Sequence, residues 1–327
     1  MEGACAEAVI VSGSASRELA MTIAQLLQVE LGACILERFP DTEVNVRLEE
    51  PVRGRRVFIV QSSCPPVDQH LMEVFGIADA SRRAAASGIT WIAPYFGYAR
   101  SDKRRGRRAA MMGRLVADFI ERAGIDHVIA FDLHSQQVEG FFHIPLENLT
   151  AIFALADALK SHLETGSVIV SPDTGRMKMA SAYASLLGCP VAVLHTERLN
   201  GKKTVVSKVV GEVRAKPCVI IDDMISTGGT IRNAIETLIQ AGATQSFLIA
   251  ASHAVFTPEA RKTLNHPSIR KIIVADSIPV ASNDWPQVEV VSLGSILAGA
   301  IRRSMTGESM MTLCEGAVNV SKQGWRA

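Results

Sequence analysis

The sequence predicts an α/β protein built on parallel sheets, and three observations carry that expectation. Short apolar runs rich in Val and Ile alternate with amphipathic helical stretches along almost the whole chain. A length of 327 residues suits two domains, each long enough to bury a full core. The third observation is the segment 219–230, Val-Ile-Ile-Asp-Asp-Met-Ile-Ser-Thr-Gly-Gly-Thr, which reads as a strand, a short polar turn and the start of a helix.

In chain order, Ala8–Ser12 is the first strand, followed by a helix with Leu19, Ile23, Leu26 and Leu27 on one face. Val57–Gln61, Ile89–Ala93 and Val128–Phe131 are further strands, separated by helical stretches near 67–87 and 109–123. The alternation resumes with Ser167–Ser171, Val191–His195, Val219–Ile221, Phe247–Ala251 and Ile272–Ala275. Strands alternating with helices point to parallel sheets joined by crossover helices. A boundary near residue 150 leaves each half a comparable set of strands, which gives expected domains of 1–149 and 150–305 and a tail of 306–327. Two polar segments interrupt the pattern. Residues 97–108 carry a run of basic groups, and 195–208 carry Lys202, Lys203 and Lys208 around Gly201. Both are expected as loops beyond the carboxyl ends of strands, where open parallel sheets bind ligands. Basic groups there suit a polyphosphate better than a duplex, because no aromatic residues interleave them.

Bulk composition excludes several classes. Apolar residues make up 48% of the chain and charged residues 20%, the balance of a globular protein. A net charge of +1 gives no general attraction to nucleic acid. No segment approaches the ~18 uninterrupted apolar residues of a membrane span. The stretch Met1–Glu7 has two glutamates and no basic cluster ahead of an apolar core, which argues against a signal peptide and for a cytoplasmic protein. Six scattered cysteines with no Cys-x-x-Cys pair read as free thiols rather than a zinc site or a disulfide framework. Beyond about residue 315 no motif is present, and a flexible end is expected.

Segment 219–230 carries the most chemistry. Ser226, Thr227 and Thr230 offer hydroxyl donors, while Gly228 and Gly229 let backbone N–H groups approach a phosphate closely. The helix that follows adds its positive N-terminal end. Asp222 and Asp223, at the end of the strand, are placed to accept hydrogen bonds from vicinal hydroxyls. A phosphorylated sugar fits this order. An ordinary strand–turn–helix with a solvated acidic pair is the weaker reading.

Four further segments accompany it: Phe39-Pro40-Asp41-Thr42-Glu43, the Pro-Tyr-Phe-Gly-Tyr-Ala-Arg run 94–100, Asp132-Leu133-His134-Ser135 and Ser171-Pro172-Asp173. With these the chain closely resembles the ribose-phosphate pyrophosphokinases, also called phosphoribosyl pyrophosphate synthetases, from about residue 8 to about 314. The 222–230 loop alone suits any type I phosphoribosyltransferase; the first-half motifs select the synthetases. The resemblance implies two tandem type I phosphoribosyltransferase-like domains, each a parallel-sheet core flanked by helices. It implies transfer of a diphosphate group from Mg-ATP to the 1-hydroxyl of ribose 5-phosphate, releasing AMP. It further implies a homo-oligomer built from dimers, often a hexamer, with the active site between the domains and completed by a neighbouring subunit. On it, Asp222 and Asp223 hold the ribose hydroxyls and Ser226, Thr227, Gly228, Gly229 and Thr230 wrap the 5-phosphate. Phe39, Asp41, Glu43, Arg100, Ser101 and Asp102 contact ATP, and His134 and Asp173 place Mg²⁺, the one cofactor implied.

The chain also departs from that pattern. The flexible catalytic loop of the family reads His-Lys-Glu-Arg or a close variant; here it is His195-Thr196-Glu197-Arg198. Arg198 matches, Thr196 stands in place of the lysine, and Lys202 and Lys203 are the candidate substitutes for its charge. Thr196 also motivates the alternative of a non-catalytic paralogue that regulates true synthetases. A phosphoribosyltransferase is a third reading, and it leaves the nucleotide-side motifs unexplained. Ser101 replaces a glutamine, and Ser226 an aspartate found in many members. Arg176 stands where a second glycine often follows the Ser-Pro-Asp segment, and is expected either to reshape the diphosphate pocket or to donate to phosphates. Ser81, Arg82 and the tail, with Met310 and Met311 in unusual positions, leave control by phosphate and ADP open.

Overall fold

The computed structural model describes residues 7–104, 106–199, 203–280, 285–311 and 313, and the side chains of 196–199 and 203–207 lie outside that description. Lys202 and the tail beyond Leu313 therefore fall outside it, and of Arg198, Thr196 and Lys203 only the backbone is described. The chain divides into two compact units. The first takes residues up to Thr150 together with 277–279 and the described part of 292–319, and the second takes Ala151–Asp276 with 280–291.

In the first unit the order is β1 (Ala8–Ser12), α1 (Arg17–Leu27), β2 (Cys34–Arg38), β3 (Val44–Leu48), β4 (Arg56–Val60), α2 (Val67–Arg83), β5 (Gly88–Ala93), α3 (Met112–Ala123), β6 (His127–Phe131) and β7 (Leu146–Leu149). Strands β1-β4-β5-β6-β7 form one sheet in that order, with every pair parallel. Packing on both faces buries most of β1, β4, β5 and β6, so these strands read as largely apolar runs rather than alternating ones, while β7 at the sheet edge carries half-buried Glu147 and Asn148. Leu19, Ile23 and Leu27 are the buried face of α1, and Leu26 lies at its margin. Trp91, wholly buried in β5, donates its indole N–H to the Gln61 carbonyl at 2.9 Å, so burial leaves its polar atom satisfied.

The antiparallel pair β2–β3 stands apart from that sheet and packs on α2, where Val46 lies so close to Gly76 that a Cβ there would come within 2.6 Å of it. Its five-residue strands are half exposed, which is why no apolar run marks them in the sequence.

The second unit runs α4 (Ile152–Lys160), β8 (Val168–Ser171), α5 (Met177–Leu187), β9 (Val191–Leu199), β10 (Lys203–Val210), β11 (Cys218–Ile225), α6 (Gly229–Gln240), β12 (Phe247–Ala254), α7 (Ala260–Leu264), β13 (Ile269–Ala275) and β14 (Val288–Val291). Its sheet order is β10-β9-β8-β11-β12-β13-β14, parallel except where β10 pairs with β9. From β8 the chain moves outward to β9 on one side and then returns to lay β11 on the other. The order reverses there, and the loops leaving β8 and β11 diverge, opening a crevice at their carboxyl ends.

Two expectations are corrected. Residues 195–199 and 203–208 are not loop: their backbone pairs as strands β9 and β10, with Thr196 opposite Val206 and His195 opposite Lys208. The β-branched residues Thr204, Val205, Val206, Val209 and Val210 favour that pleated surface despite the neighbouring lysines. Position in the chain places residues 292–305 in the second domain. The helix α8 (Gly294–Thr306) instead belongs to the first unit, packed on α1, where Gly294 approaches Thr22 so closely that a Cβ would lie 2.7 Å from its methyl. Among the described residues no helix is long and apolar enough to cross a membrane, and Cys34, Cys64, Cys189 and Cys218 are free thiols.

Gly228 caps α6 with φ +79°, and a Cβ there would lie 2.7 Å from Leu264. At Gly229 the nearest atom, Thr227 Oγ1, is 3.5 Å away. Gly228→Ala is therefore expected to cost about 1–3 kcal/mol in urea unfolding, from left-handed strain and overpacking together, and Gly229→Ala clearly less.

Candidate active site

The crevice between β8 and β11 gathers the acidic and hydroxylated groups of the second unit. After β8, the Ser171 hydroxyl donates to the Asp173 carbonyl at 2.6 Å. Asp173 Oδ1 accepts the backbone N–H groups of Gly175 at 2.8 Å and Arg176 at 3.1 Å, capping the turn that leads into α5. That cap fixes where the Arg176 side chain starts. From there its guanidinium reaches both carboxylates at the end of β11: Nε lies 3.4 Å from Asp222 Oδ1 and Nη2 lies 2.9 Å from Asp223 Oδ2. Asp222 Oδ1 also accepts the Asp223 N–H at 2.9 Å.

Asp223 is buried and Asp222 nearly so. Burial, then the charge of Asp223 and a hydrogen bond with it, push the Asp222 carboxyl well above the usual carboxylate range, while Arg176 pulls it back. The sequence marks Arg176 as a departure beside Asp173, but not as a bridge to the acidic pair. That pairing depends on β8 and β11 being neighbours, and a sequence motif does not carry sheet order.

Beyond the pair, Ser226, Thr227 and Gly228 turn into α6. The turn is held from the next strand's loop, since Phe256 N–H donates to the Ile225 carbonyl at 3.0 Å and Thr257 N–H to that of Ser226 at 3.1 Å. Thr227 and Thr230 are exposed at the N-terminal end of α6, with Gly229 between them. Hydroxyls, first-turn N–H groups and the helix dipole converge there, an arrangement that binds a phosphate.

In the first unit, Phe39, Asp41 and Glu43 share the turn joining β2 to β3. Phe39 N–H donates to the Glu43 carbonyl at 2.9 Å, and Glu43 N–H donates to Asp41 Oδ1 at 3.2 Å. Phe39 is 49% exposed, so its ring is open to stacking rather than part of the core. The turn is anchored from below by Arg38, which donates to the Thr42 carbonyl at 3.2 Å and pairs with buried Glu73 at 3.0 Å. Glu73 also accepts from the Ser14 hydroxyl and from Gln61 Nε2, each at 2.7 Å. An open cleft of about 540 Å³ lies beside the turn, lined by Arg38, Glu43, Asp68 and Met72 among others. Neither Arg38 nor Glu73 belongs to a motif read from the sequence.

Arg100 and His134 follow the neighbouring strands β5 and β6 at the same carboxyl edge, Arg100 exposed and His134 half-buried. Asp132, two residues before His134, is buried with φ +37°, the left-handed backbone that turns the chain there. Ser101 closes the neck of the loop that leads into α3, where its hydroxyl accepts the Met112 N–H and its carbonyl the Gly113 N–H, each at 3.1 Å. Asp102 begins that loop, half-buried.

Of the two expected metal-positioning residues, His134 lies in the first unit and Asp173 in the second. Among the described residues no group of three His, Cys, Asp or Glu side chains could enclose an ion. Asp173 has one carboxylate oxygen pinned by two N–H groups, which orients the other. A single oriented carboxylate without a cage fits Mg²⁺, which keeps several waters and completes its shell with substrate phosphates.

Residues 8–124 match the family model for the N-terminal domain of ribose phosphate pyrophosphokinase, and residues 198–315 match the phosphoribosyl synthetase-associated domain. A ribose-phosphate pyrophosphokinase of Vibrio cholerae is 40% identical over 308 residues, 93% of this chain and 98% of that one. The chain belongs to the ribose-phosphate pyrophosphokinase family. Ribose-phosphate pyrophosphokinase A of Dictyostelium discoideum is 39% identical over 93% of this chain and 96% of its own length. The crystal structure of phosphoribosylpyrophosphate synthetase from Mycobacterium smegmatis superposes with a TM-score of 0.85 at 37% identity, covering 92% of this chain and 99% of that one. As a member of this family the chain is an enzyme, a transferase of diphosphate groups, and its fold is that of the family.

The raised Asp222 carboxyl has a signed consequence. Where the folded protein holds this proton more tightly than the unfolded chain, stability falls as pH rises from the ordinary carboxylate range through the raised value. Asp222→Asn removes that cost. The variant is expected to gain stability over the wild type as pH rises through the raised value and to lose that advantage in acid, while binding ribose 5-phosphate more weakly. Urea midpoints across pH, with calorimetric titration of the sugar phosphate, check both halves.

Proposed function

We propose that this chain transfers the diphosphate group of Mg-ATP to the 1-hydroxyl of ribose 5-phosphate, giving 5-phosphoribosyl 1-diphosphate and AMP. The observation that carries the proposal is the Asp222–Asp223 pair followed by the 226–230 turn, standing where the strand order reverses. Synthesis of phosphoribosyl pyrophosphate is the activity named for relatives that match nearly the whole chain.

Each residue then has a role. Asp222 and Asp223 accept hydrogen bonds from the ribose 2- and 3-hydroxyls, which sets the sugar's orientation. Ser226, Thr227 and Thr230, with the N–H groups around Gly228 and Gly229, hold the 5-phosphate at the start of α6. Phe39 stacks on the adenine while Asp41 and Glu43 accept from its exocyclic amine. Arg100 and Asp102 lie along the nucleotide, where a guanidinium matches phosphate oxygens; Ser101 serves through the neck it closes. Asp173 and His134 help place Mg²⁺, which supplies neutralisation of phosphate charge when bound. Arg198, Lys202 and Lys203 bring positive charge to the transferred group.

Transfer proceeds as the sugar's 1-oxygen bonds to the β-phosphorus and the bond to the α–β bridging oxygen breaks, so that AMP leaves with that oxygen and the 1-hydroxyl proton is released to solvent. The protein contributes alignment and charge more than covalent chemistry. A homo-oligomer built from dimers, with a neighbouring subunit completing the site, and a cytoplasmic location belong to the same proposal. Nucleic acid and membrane have no part in it.

Thr196 favours a second reading, a non-catalytic partner of active synthetases, because a hydroxyl cannot supply the charge of the lysine expected there. Turnover separates the two. Incubation with Mg-ATP and ribose 5-phosphate is expected to yield AMP and the activated sugar in equal amounts, and Arg198→Ala to lower kcat by roughly 10²–10³-fold with KM values little changed. Formation of ADP would overturn the proposal. Nucleotide binding without turnover would install the second reading.

A further inference from the structure

We propose that Arg176 is a positioning residue of the sugar site: its guanidinium holds Asp222 and Asp223 side by side as paired acceptors and so makes the site selective for a vicinal diol. The inference rests on the function proposed above and adds a residue to its sugar-binding half.

The geometry is specific. Asp173 fixes the backbone N–H of Arg176 at 3.1 Å, so the side chain springs from a pinned point. Its Nε and Nη2 form one edge of the guanidinium, and that edge meets two different carboxylates, Asp222 Oδ1 at 3.4 Å and Asp223 Oδ2 at 2.9 Å. A planar fork of this kind sets the spacing and tilt of both acids together, which a lysine's single ammonium cannot do. The Arg176 side chain is 17% exposed and Asp223 3%, so the pair operates largely out of water, where its attraction is strong and its orientation fixed.

A diol presents two O–H donors and needs two acceptors held at matching separation. Without a counter-charge, two adjacent buried carboxylates share a proton or move apart. A protonated acid then donates where the sugar also donates, and one of the two hydroxyls loses its acceptor. Arg176 opposes this through one oxygen of each carboxylate, pulling the Asp222 carboxyl back against the rise that burial and Asp223 impose. The guanidinium is thus a built-in counter-ion for the acid pair.

The test compares the full-length wild type with Arg176→Met and Arg176→Lys, using ribose 5-phosphate and 2-deoxyribose 5-phosphate as probes in calorimetric titration and AMP-forming kinetics. Arg176→Met is expected to weaken ribose 5-phosphate binding and raise its KM by roughly 10- to 100-fold, with the KM for ATP changed by less than about twofold. The 2-deoxy sugar should lose much less, so selectivity between the two sugars narrows. Arg176→Lys should recover part of the affinity and less of the selectivity. Unchanged or tighter ribose 5-phosphate binding in Arg176→Met would show that the guanidinium is idle or competes with the sugar, and would overturn the inference. Equal losses for both sugars with a lowered Tm would also overturn it, as a purely structural role. A wild type that binds neither sugar phosphate would overturn the sugar-site reading itself, a result distinct from either.

Discussion

Two carboxylates in successive residues at the buried end of a strand cannot both remain charged without a cation beside them. Asp222 and Asp223 stand in that position, and the second unit is organised around meeting the constraint. The cation has to come from a neighbouring strand, and reversal of the strand order at β8 supplies one, because the turn leaving β8 then lies beside the end of β11. Asp173 caps that turn and sets the starting point of Arg176, whose guanidinium reaches both acids. The hydroxyl- and glycine-rich turn that follows the pair is held separately, by the backbone of Phe256 and Thr257. The acid pair and the hydroxyl-rich turn are therefore positioned by different supports, and one can be altered without dismantling the other.

The first unit repeats the device in another form. Its candidate nucleotide turn projects Phe39 on a narrow hairpin that would be mobile if it relied on two short half-exposed strands alone. Arg38 ties the turn to Glu73, a buried carboxylate whose remaining capacity is taken up by Ser14 and Gln61. In each unit an arginine joins an acid of low exposure to a candidate binding segment. Such pairs contribute little net stability once desolvation is counted, and what they contribute is geometry.

The parallel strands are legible in the sequence because most are buried on both faces: Val57–Val60 and Phe247–Ala251 are apolar without interruption, and Ile89–Ala93 is broken by buried Thr90 alone. Strands β2, β3 and β14 are not, because partial exposure mixes polar residues into them. The β9–β10 hairpin reads as a loop because its lysines outweigh its β-branched residues. The placement of α8 is hidden because contact, not chain order, decides which core a helix joins. Within the site, Asp222, Asp223 and the 226–230 turn can be read from one contiguous segment, since strand, acids and helix start are adjacent in sequence. Arg176 and Glu73 act on partners 46 or more and 35 residues away, so their roles appear only once the sheet and hairpin are assembled.

Thr196 bears on how the two kinds of charge in this protein divide their work. The charges of Arg176 and Arg38 are consumed internally, each already matched to a carboxylate, so neither is available to a phosphate without breaking a pair of low exposure. Arg100, Lys103, Arg104, Arg107 and Arg108 are instead exposed, and they follow the carboxyl end of β5, on the side where a parallel sheet receives its ligand. A diphosphate in transfer spreads negative charge over several oxygens, and stabilising it depends on cations that reach it at the moment of reaction. Thr196 carries no such charge, and the internal pairs do not depend on it. On the function proposed above, substrate binding and transfer are then separable: the acid pair and the 226–230 turn can be intact while the rate is set by whichever exposed cations reach the transferred group.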